Sequence, residues 1–304
     1  MYPLIIIAGP TAVGKTELAH LLAQKSGGEI ISADSRQVYR YMDIGTAKPD
    51  KLLCQELPYH LIDIVYPDEN WTVADFKEKA EETITKVHSH KRFPFLVGGT
   101  GLYIKAITTG LFPSPAPSAT IRHNLQLQLT QFGTAYLYDK LCQVDKEKAE
   151  KLNPNDTRRI IRALEVFYQT GIPISQLQQH KTQKKDYNLI MICLNKERDK
   201  LYCQINERVD RMIKQGFVEE VQSLLKMGYN ENLIAMEAVG YKQIISYLKG
   251  DYDLNETIEM IKQQTRNFAK RQLTWFRAEK RFTWFSPKDK DKIYEFILNS
   301  LKIN

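Results

Sequence analysis

The sequence predicts an α/β protein: a parallel sheet flanked by helices and interrupted by a helical insertion. Three observations carry this. Short apolar runs rich in β-branched residues alternate with stretches of helical spacing. A glycine-rich segment of the form GxxxxGK[ST] stands between the first such run and the first helical pattern. A proline-dense break at 111–118 is followed by polar, helix-patterned sequence before the last apolar run. The chain has 304 residues, 43% hydrophobic and 26% charged, which excludes a disordered or collagen-like chain and fits one large or two modest domains.

In chain order, residues 3–8 (PLIIIA) read as a strand buried on both faces. Residues 16–25 have helical spacing, with Leu18, Leu21 and Leu22 on one side. Residues 29–33 (EIISA), 59–65 (YHLIDIV) and 93–97 (FPFLV) are further strands, and 72–90 is a helix capped at Asn70 or Thr72. Pro113, Pro115 and Pro117 forbid a regular element. Helices are expected over 119–132, 135–144 and 156–169, the last capped by Asn155 or Asp156, and then a strand over 187–194 (YNLIMICL). The remainder is helical: 197–215, 218–227, 234–248, 254–279 and a short amphipathic helix at 288–301. The simplest organisation is a core of 1–113 and 185–304 with an insertion domain at 114–184; the alternative is that those helices merely pack on the sheet.

Residues 9–16 (GPTAVGKT) match the phosphate-binding motif in full, between a strand and a helix. That makes the predicted sheet P-loop NTPase-like. Backbone N–H groups of residues 11–16 would wrap a phosphate, the helix N-terminus would add positive potential, Lys15 would neutralise oxygens, and the Thr16 hydroxyl would hold Mg²⁺. The motif indicates a diphosphate or triphosphate without saying what carries it. Asp34 lies just past a strand end, on the rim where ligands of parallel sheets bind. Its position alone suits a metal ligand, a helix cap or a general base. Residues 97–103 (VGGTGLY) end another strand, with Thr100 the only hydroxyl of the glycine loop; an ordinary strand-to-helix turn is the competing account.

No cysteine pair has CxxC spacing among Cys54, Cys142, Cys193 and Cys203, so a zinc knuckle is not expected; buried free thiols in a reducing compartment are. No apolar stretch approaches a membrane span, and the first residues run straight into the glycine loop, so a soluble cytoplasmic protein is expected. The net charge is +7. Residues 261–281 hold seven basic residues against the single acid Glu279, and Lys262, Arg266, Lys270, Arg277 and Arg281 fall on one broad helical face with Phe268, Trp275 and Phe276 interleaved. Such a face suits a polynucleotide backbone, with Lys262, Arg266 and Lys270 as phosphate contacts; a solvated helix with aromatic core anchors is the competing account. Arg158, Arg159 and Arg162 form a second cluster on the insertion, and two clusters on different lobes suggest a grip on one large anion.

Six segments together resemble the tRNA dimethylallyltransferases, also called tRNA isopentenyltransferases: GPTAVGKT at 9–16, DSRQVY at 34–39, MDIGTAKP at 42–49, VGGTGLY at 97–103, Gly240 and Tyr241 followed by Leu248, and TRNFAKRQLTWFR at 265–277. The resemblance implies transfer of a dimethylallyl group from dimethylallyl diphosphate to N6 of adenosine 37, in tRNAs that read codons starting with U. It implies a P-loop core, a helical insertion against the anticodon stem-loop, and Mg²⁺ as the metal. The donor diphosphate would sit against Gly9, Thr11, Ala12, Val13, Gly14, Lys15 and Thr16, with Arg208 resembling a family arginine nearby. Asp34 resembles the general base and Thr100 a second catalytic position. Asp34, Ser35, Arg36 and Gln37, with Arg158, Arg159 and Arg162, match tRNA-contact regions, and Arg122 lies near another. Gln37 would be able to read a neighbouring base edge. The chain lacks the zinc-finger extension of eukaryotic members, which points to a compact bacterial-type enzyme, expected to be a monomer. A P-loop small-molecule or nucleotide kinase would explain the cradle and Asp34, and a nucleic-acid-binding ATPase the basic patches.

Overall fold

The computed structural model describes residues 2–180 and 185–302. Contacts divide the chain into two compact units, Met1–Thr108 with Lys185–Asn304, and Thr109–Lys184. The second opens at Thr109, ahead of the proline-rich segment where the sequence places the boundary.

The first unit is built on six parallel strands, β1 (Tyr2–Ala8), β2 (Gly28–Ser32), β3 (Tyr59–His60), β4 (Phe93–Gly98), β5 (Tyr187–Leu194) and β6 (Thr283–Phe285), in the order β3-β2-β4-β1-β5-β6. Residues of alternating parity face opposite sides, which is why the strands read as continuous apolar runs. Ile5, Ile7, Ile30, Phe95 and Ile192 pack on α1 (Lys15–Ser26), on Leu201 and Ile205 of α9 (Arg198–Lys214), and on α13 (Lys290–Lys302). Leu4, Ile6, Ile31, Leu96 and Met191 pack on α3 (Val73–Ser89) and α4 (Gly101–Thr108). Thr72 caps α3 through a reciprocal box with Asp75.

Several expected elements differ. The strand over 59–65 shrinks to two residues, because Leu61 (φ 62°) and Asp63 (φ 55°) leave the extended region. A short α2 (Lys51–Glu56) precedes it, capped by Asp50. The helix over 234–248 is a 3-10 turn, Ile234–Glu237, and a separate α11 (Tyr241–Leu248), parted at Gly240 (φ 99°). With α10 (Phe217–Lys226) and α12 (Leu254–Arg277), α11 builds a third apolar cluster around Tyr39, Met42, Phe217 and Tyr241, which carries the 38–48 loop. β6 lies just past the basic stripe and its three residues give no periodicity to read.

The unit Thr109–Lys184 contains α5 (Ala119–Val144), bent at the non-helical Gly133, then α6 (Lys146–Glu150), α7 (Thr157–Thr170) and α8 (Ile174–Leu177). Its own core includes Leu125, Leu137, Leu141, Ile160 and Leu164. Among the described residues no helix is long and apolar enough to cross a membrane. All four thiols are free; Cys193 is buried, but Cys54 and Cys203 are exposed, contrary to the expectation of buried thiols.

Candidate active site

β1 delivers the chain into the loop of residues 9–14, and α1 begins at Lys15. Ala12 takes a left-handed backbone (φ 63°), which turns successive amides inward as an anion-binding concavity. Thr11, Ala12 and Lys15 are partly buried and Val13 is fully buried. The Lys15 ammonium donates to Pro10 O at 2.7 Å. Arg208, from α9, donates to the Thr11 hydroxyl at 3.3 Å, so the chain brings to the loop an arginine that lies 197 positions away. Burial pushes the Lys15 ammonium down to about 8, with Arg208 adding to the fall and Asp34 opposing it. Burial likewise lowers Arg208. Two cations and one carboxylate thus converge, leaving positive charge in excess.

The neighbouring strands place Asp34 and Thr100 on the same rim. Asp34 Oδ1 accepts from Arg36 N at 2.8 Å and Gln37 N at 3.4 Å, and no hydrogen bond among the described residues engages Oδ2. The Thr100 hydroxyl accepts from Ser35 N at 3.1 Å, and Thr100 N donates to Ala33 O at 3.2 Å, which stitches the end of β4 to the end of β2. Arg36 donates to Ile234 O at 2.6 Å. Gln37 is turned inward: its carboxamide accepts from Ser32 Oγ at 2.9 Å and donates to Ala47 O at 3.2 Å. It would reach a base edge only by exchanging those bonds. Thr16 borders a cavity of about 20 Å³ with Ser32, Gln37 and Pro49, room for one water-sized ligand.

Two residues shape this rim without having stood out in the sequence. Gln272 of α12 is 7% exposed and bonds to Thr11 N and Gly99 O. Glu220 of α10 accepts from the amides of Asp43, Ile44 and Gly45 at 2.8, 2.7 and 3.1 Å, and from the Tyr241 hydroxyl at 2.6 Å. The 42–49 loop is thereby held as a nest around a carboxylate, with Lys48 closing it onto Asp43 and Asp63 at 2.6 and 2.5 Å. In the sequence, MDIGTAKP at 42–49 and the Gly240–Tyr241 pair stand as separate segments with nothing to join them through Glu220.

The basic residues are less available than their count suggests. Lys262 is neutralised by Asp210 at 2.8 Å and Glu259 at 2.9 Å, and Arg266 donates to Asn206 at 2.6 Å, so both turn toward α9. Lys270, Arg271 and Arg277 are exposed, while Phe276 is a core anchor set edge-on to Phe282. In the insertion, Arg162 and Arg122 both bind Glu165, which is fully buried: Arg162 at 2.6 Å, Arg122 at 2.9 Å. Glu165 also accepts from Ser118 N, and Arg162 reaches Ser114 Oγ and Pro115 O at 2.6 and 2.8 Å. These arginines anchor the proline-dense segment to α7. Arg159 pairs with Asp156 at 3.4 Å, and Arg158 is exposed.

The fold and rim define a P-loop protein in which the loop of residues 9–16 stands beside a carboxylate and a hydroxyl. A model of the IPP transferase family matches residues 37–279. A tRNA dimethylallyltransferase of Geobacter sulfurreducens is 50% identical over 92% of this chain and 91% of its own length. One of Caldanaerobacter subterraneus is 46% identical over 98% of each. Among solved structures, the full-length tRNA isopentenylpyrophosphate transferase of Bacillus halodurans is similar at a TM-score of 0.74 and 42% identity, over 99% of this chain and 97% of that one. A eukaryotic dimethylallyltransferase acting on tRNA is similar at 0.77 and 26% identity, over 95% of this chain and 75% of that one. The chain belongs to the IPP transferase family, and it is an enzyme of the tRNA dimethylallyltransferase kind.

Proposed function

We propose that the chain transfers a dimethylallyl group from dimethylallyl diphosphate to N6 of adenosine in tRNA, at position 37 in tRNAs that read codons starting with U, and releases diphosphate. The observation that supports this best is the convergence of Lys15 and Arg208 on a loop whose neighbouring strands carry Asp34 and Thr100.

The exocyclic amine of adenine is conjugated with its ring and is a weak nucleophile, so the donor must be activated. As the allylic C–O bond breaks and the C–N bond forms, negative charge grows on the diphosphate oxygens. Lys15, Arg208 and the amides of residues 12–16 stabilise it, the two cations outnumbering the one carboxylate beside them. Asp34, with Oδ1 tied to Arg36 and Gln37, takes the N6 proton on Oδ2. The Thr100 hydroxyl accepts from Ser35 N, which leaves its own proton to donate toward the reacting groups. The adenosine leaves its stack to reach the rim, as base-modifying enzymes require.

Mg²⁺ fits this site. Among the described residues no cluster of three or more His, Cys, Asp or Glu forms a cage, and Mg²⁺ takes one or two protein oxygens together with substrate phosphates and water. Thr16, at the start of α1 beside the small cavity it shares with Ser32 and Gln37, would hold it. Mg²⁺ when bound shares the charge of the leaving diphosphate. Lys270, Arg271 and Arg277 on α12, and Arg158 on the insertion, are the exposed cations suited to tRNA phosphates, with Ser35 and Arg36 nearest the rim.

Incubation with tRNA and labelled dimethylallyl diphosphate should place label in the RNA, while ATP alone should release no phosphate. Phosphate release from ATP with unlabelled RNA would select a kinase or ATPase instead.

A further inference from the structure

We propose that Gln272 limits the cradle to two phosphates by occupying the amide that a third would need. This rests on the reading of the loop as a diphosphate site. Gln272 comes from the middle of α12, 261 positions from the loop it serves. Its Oε1 accepts from Thr11 N at 2.8 Å and its Nε2 donates to Gly99 O at 3.0 Å. One neighbour only donates and the other only accepts, so the carboxamide can face one way only.

The surroundings hold it at that depth. A Cβ on Gly99 would lie 2.2 Å from Gln272 Nε2, and a Cβ on Gly101 would lie 2.2 Å from the Trp275 indole. Gln272 and Trp275 stand one helical turn apart, so α12 is keyed into the Gly99–Gly101 loop at two successive points. The glycines of that loop are required by these two side chains as well as by any ligand.

The helix-side amides of the cradle, with Lys15 and Thr16, serve the phosphates nearest α1. Thr11 precedes those amides, on the strand side of the loop between β1 and α1, and on this proposal the outer end of a longer chain lies there. There the Thr11 N–H is spent on Gln272 and its hydroxyl on Arg208. A third phosphate would have to displace the carboxamide from Thr11 and leave a buried acceptor without a partner. A single hydrogen bond of this kind corresponds to about a two- to tenfold change in affinity.

The test is calorimetric binding of inorganic diphosphate and of tripolyphosphate, each with Mg²⁺, to the full chain and to Gln272→Met. Methionine keeps the length of the side chain and removes both hydrogen bonds. The ratio of the two dissociation constants, tripolyphosphate over diphosphate, should fall severalfold, up to about tenfold, while diphosphate affinity moves by less than about threefold. Gln272→Glu retains an acceptor for Thr11 and should keep the wild-type ratio while weakening both anions. If Gln272→Met does not fold by its thermal melt, Gln272→Asn, too short to span both partners, is measured in its place. An unchanged ratio in the folded variant overturns the proposal and leaves Gln272 a brace. Failure of the unaltered protein to bind either anion overturns the diphosphate reading itself, a different result.

Discussion

Lys15 ties affinity for the donor to pH in a direction the structure fixes. Desolvation, with Arg208 beside it, pushes the Lys15 ammonium down to about 8. A bound diphosphate adds negative charge beside Lys15, so the protonated lysine binds it best. As pH rises through 8 the lysine loses its proton and donor affinity falls. With that value the apparent Kd should rise about twofold from pH 7 to 8 and about tenfold from pH 7 to 9. The terminal phosphate of the donor, with a second pKa near 6, is already ionised over this range and adds little slope. Stability runs the other way. The unfolded lysine keeps its ordinary value of 10.5, so between about 8 and 10.5 the unfolded chain binds more protons and the folded state gains as pH rises, by at most about 3 kcal/mol. Titration calorimetry of dimethylallyl diphosphate without tRNA, at pH 7, 8 and 9, reads the first effect. Repeating it at pH 8 in buffers of different ionisation heat should reveal about half a proton taken up. Lys15→Arg, charged throughout, should flatten the profile. A flat profile in the unaltered enzyme, or an equal slope in Lys15→Arg, would refute the argument.

Asp34→Asn keeps an acceptor for Arg36 and Gln37 but no base, so turnover should fall by about 10²- to 10⁴-fold with tRNA affinity nearly unchanged; near-normal turnover would remove Asp34 from the chemistry. Arg162→Ala leaves the buried Glu165 with Arg122 alone, and thermal unfolding should show a loss of about 2–4 kcal/mol while the salt dependence of tRNA binding stays as it was. Lys270→Ala should weaken all tRNAs alike and lower the slope of log K against log salt by about one, whereas Lys262→Ala should leave that slope unchanged because Asp210 and Glu259 already neutralise its charge.

What the sequence reveals and what it conceals divide along the range of the interactions. The strands are legible because burial on both faces leaves runs such as LIII and LIMIC with no polar interruption. The cradle is legible because one contiguous segment supplies its amides, and Asp34 and Thr100 are legible because each follows a strand end directly. Gln272 is not, since its partners lie 173 and 261 residues away and a lone glutamine in a basic helix carries no pattern. The basic stripe is only partly legible for a related reason. Net charge counts cations without saying which are engaged from another helix, where Asp210 pairs with Lys262 and Asn206 accepts a hydrogen bond from Arg266. Glu165 hides in the same way: a single acid in an arginine-rich helix gives no hint that it is buried and that the arginines turn to it.

The order β2-β4-β1 makes the sheet a ruler for the chemistry. Its marks are the exits of three adjacent strands, with Ala8 paired to Gly98 and Ser32 to Val97. Strands stand about 4.8 Å apart, so the Asp34 carboxylate just past β2, the Thr100 hydroxyl just past β4 and the loop that follows β1 are spaced chiefly by a hydrogen-bonded lattice. Insertions or deletions in loops away from these strand exits should therefore leave the interval from the Asp34 carboxylate to the 9–16 loop almost untouched. A single-residue deletion inside β4 would instead exchange the faces shown by Leu96 and Val97, undo both layers of packing, and carry Thr100 off its mark in the same step.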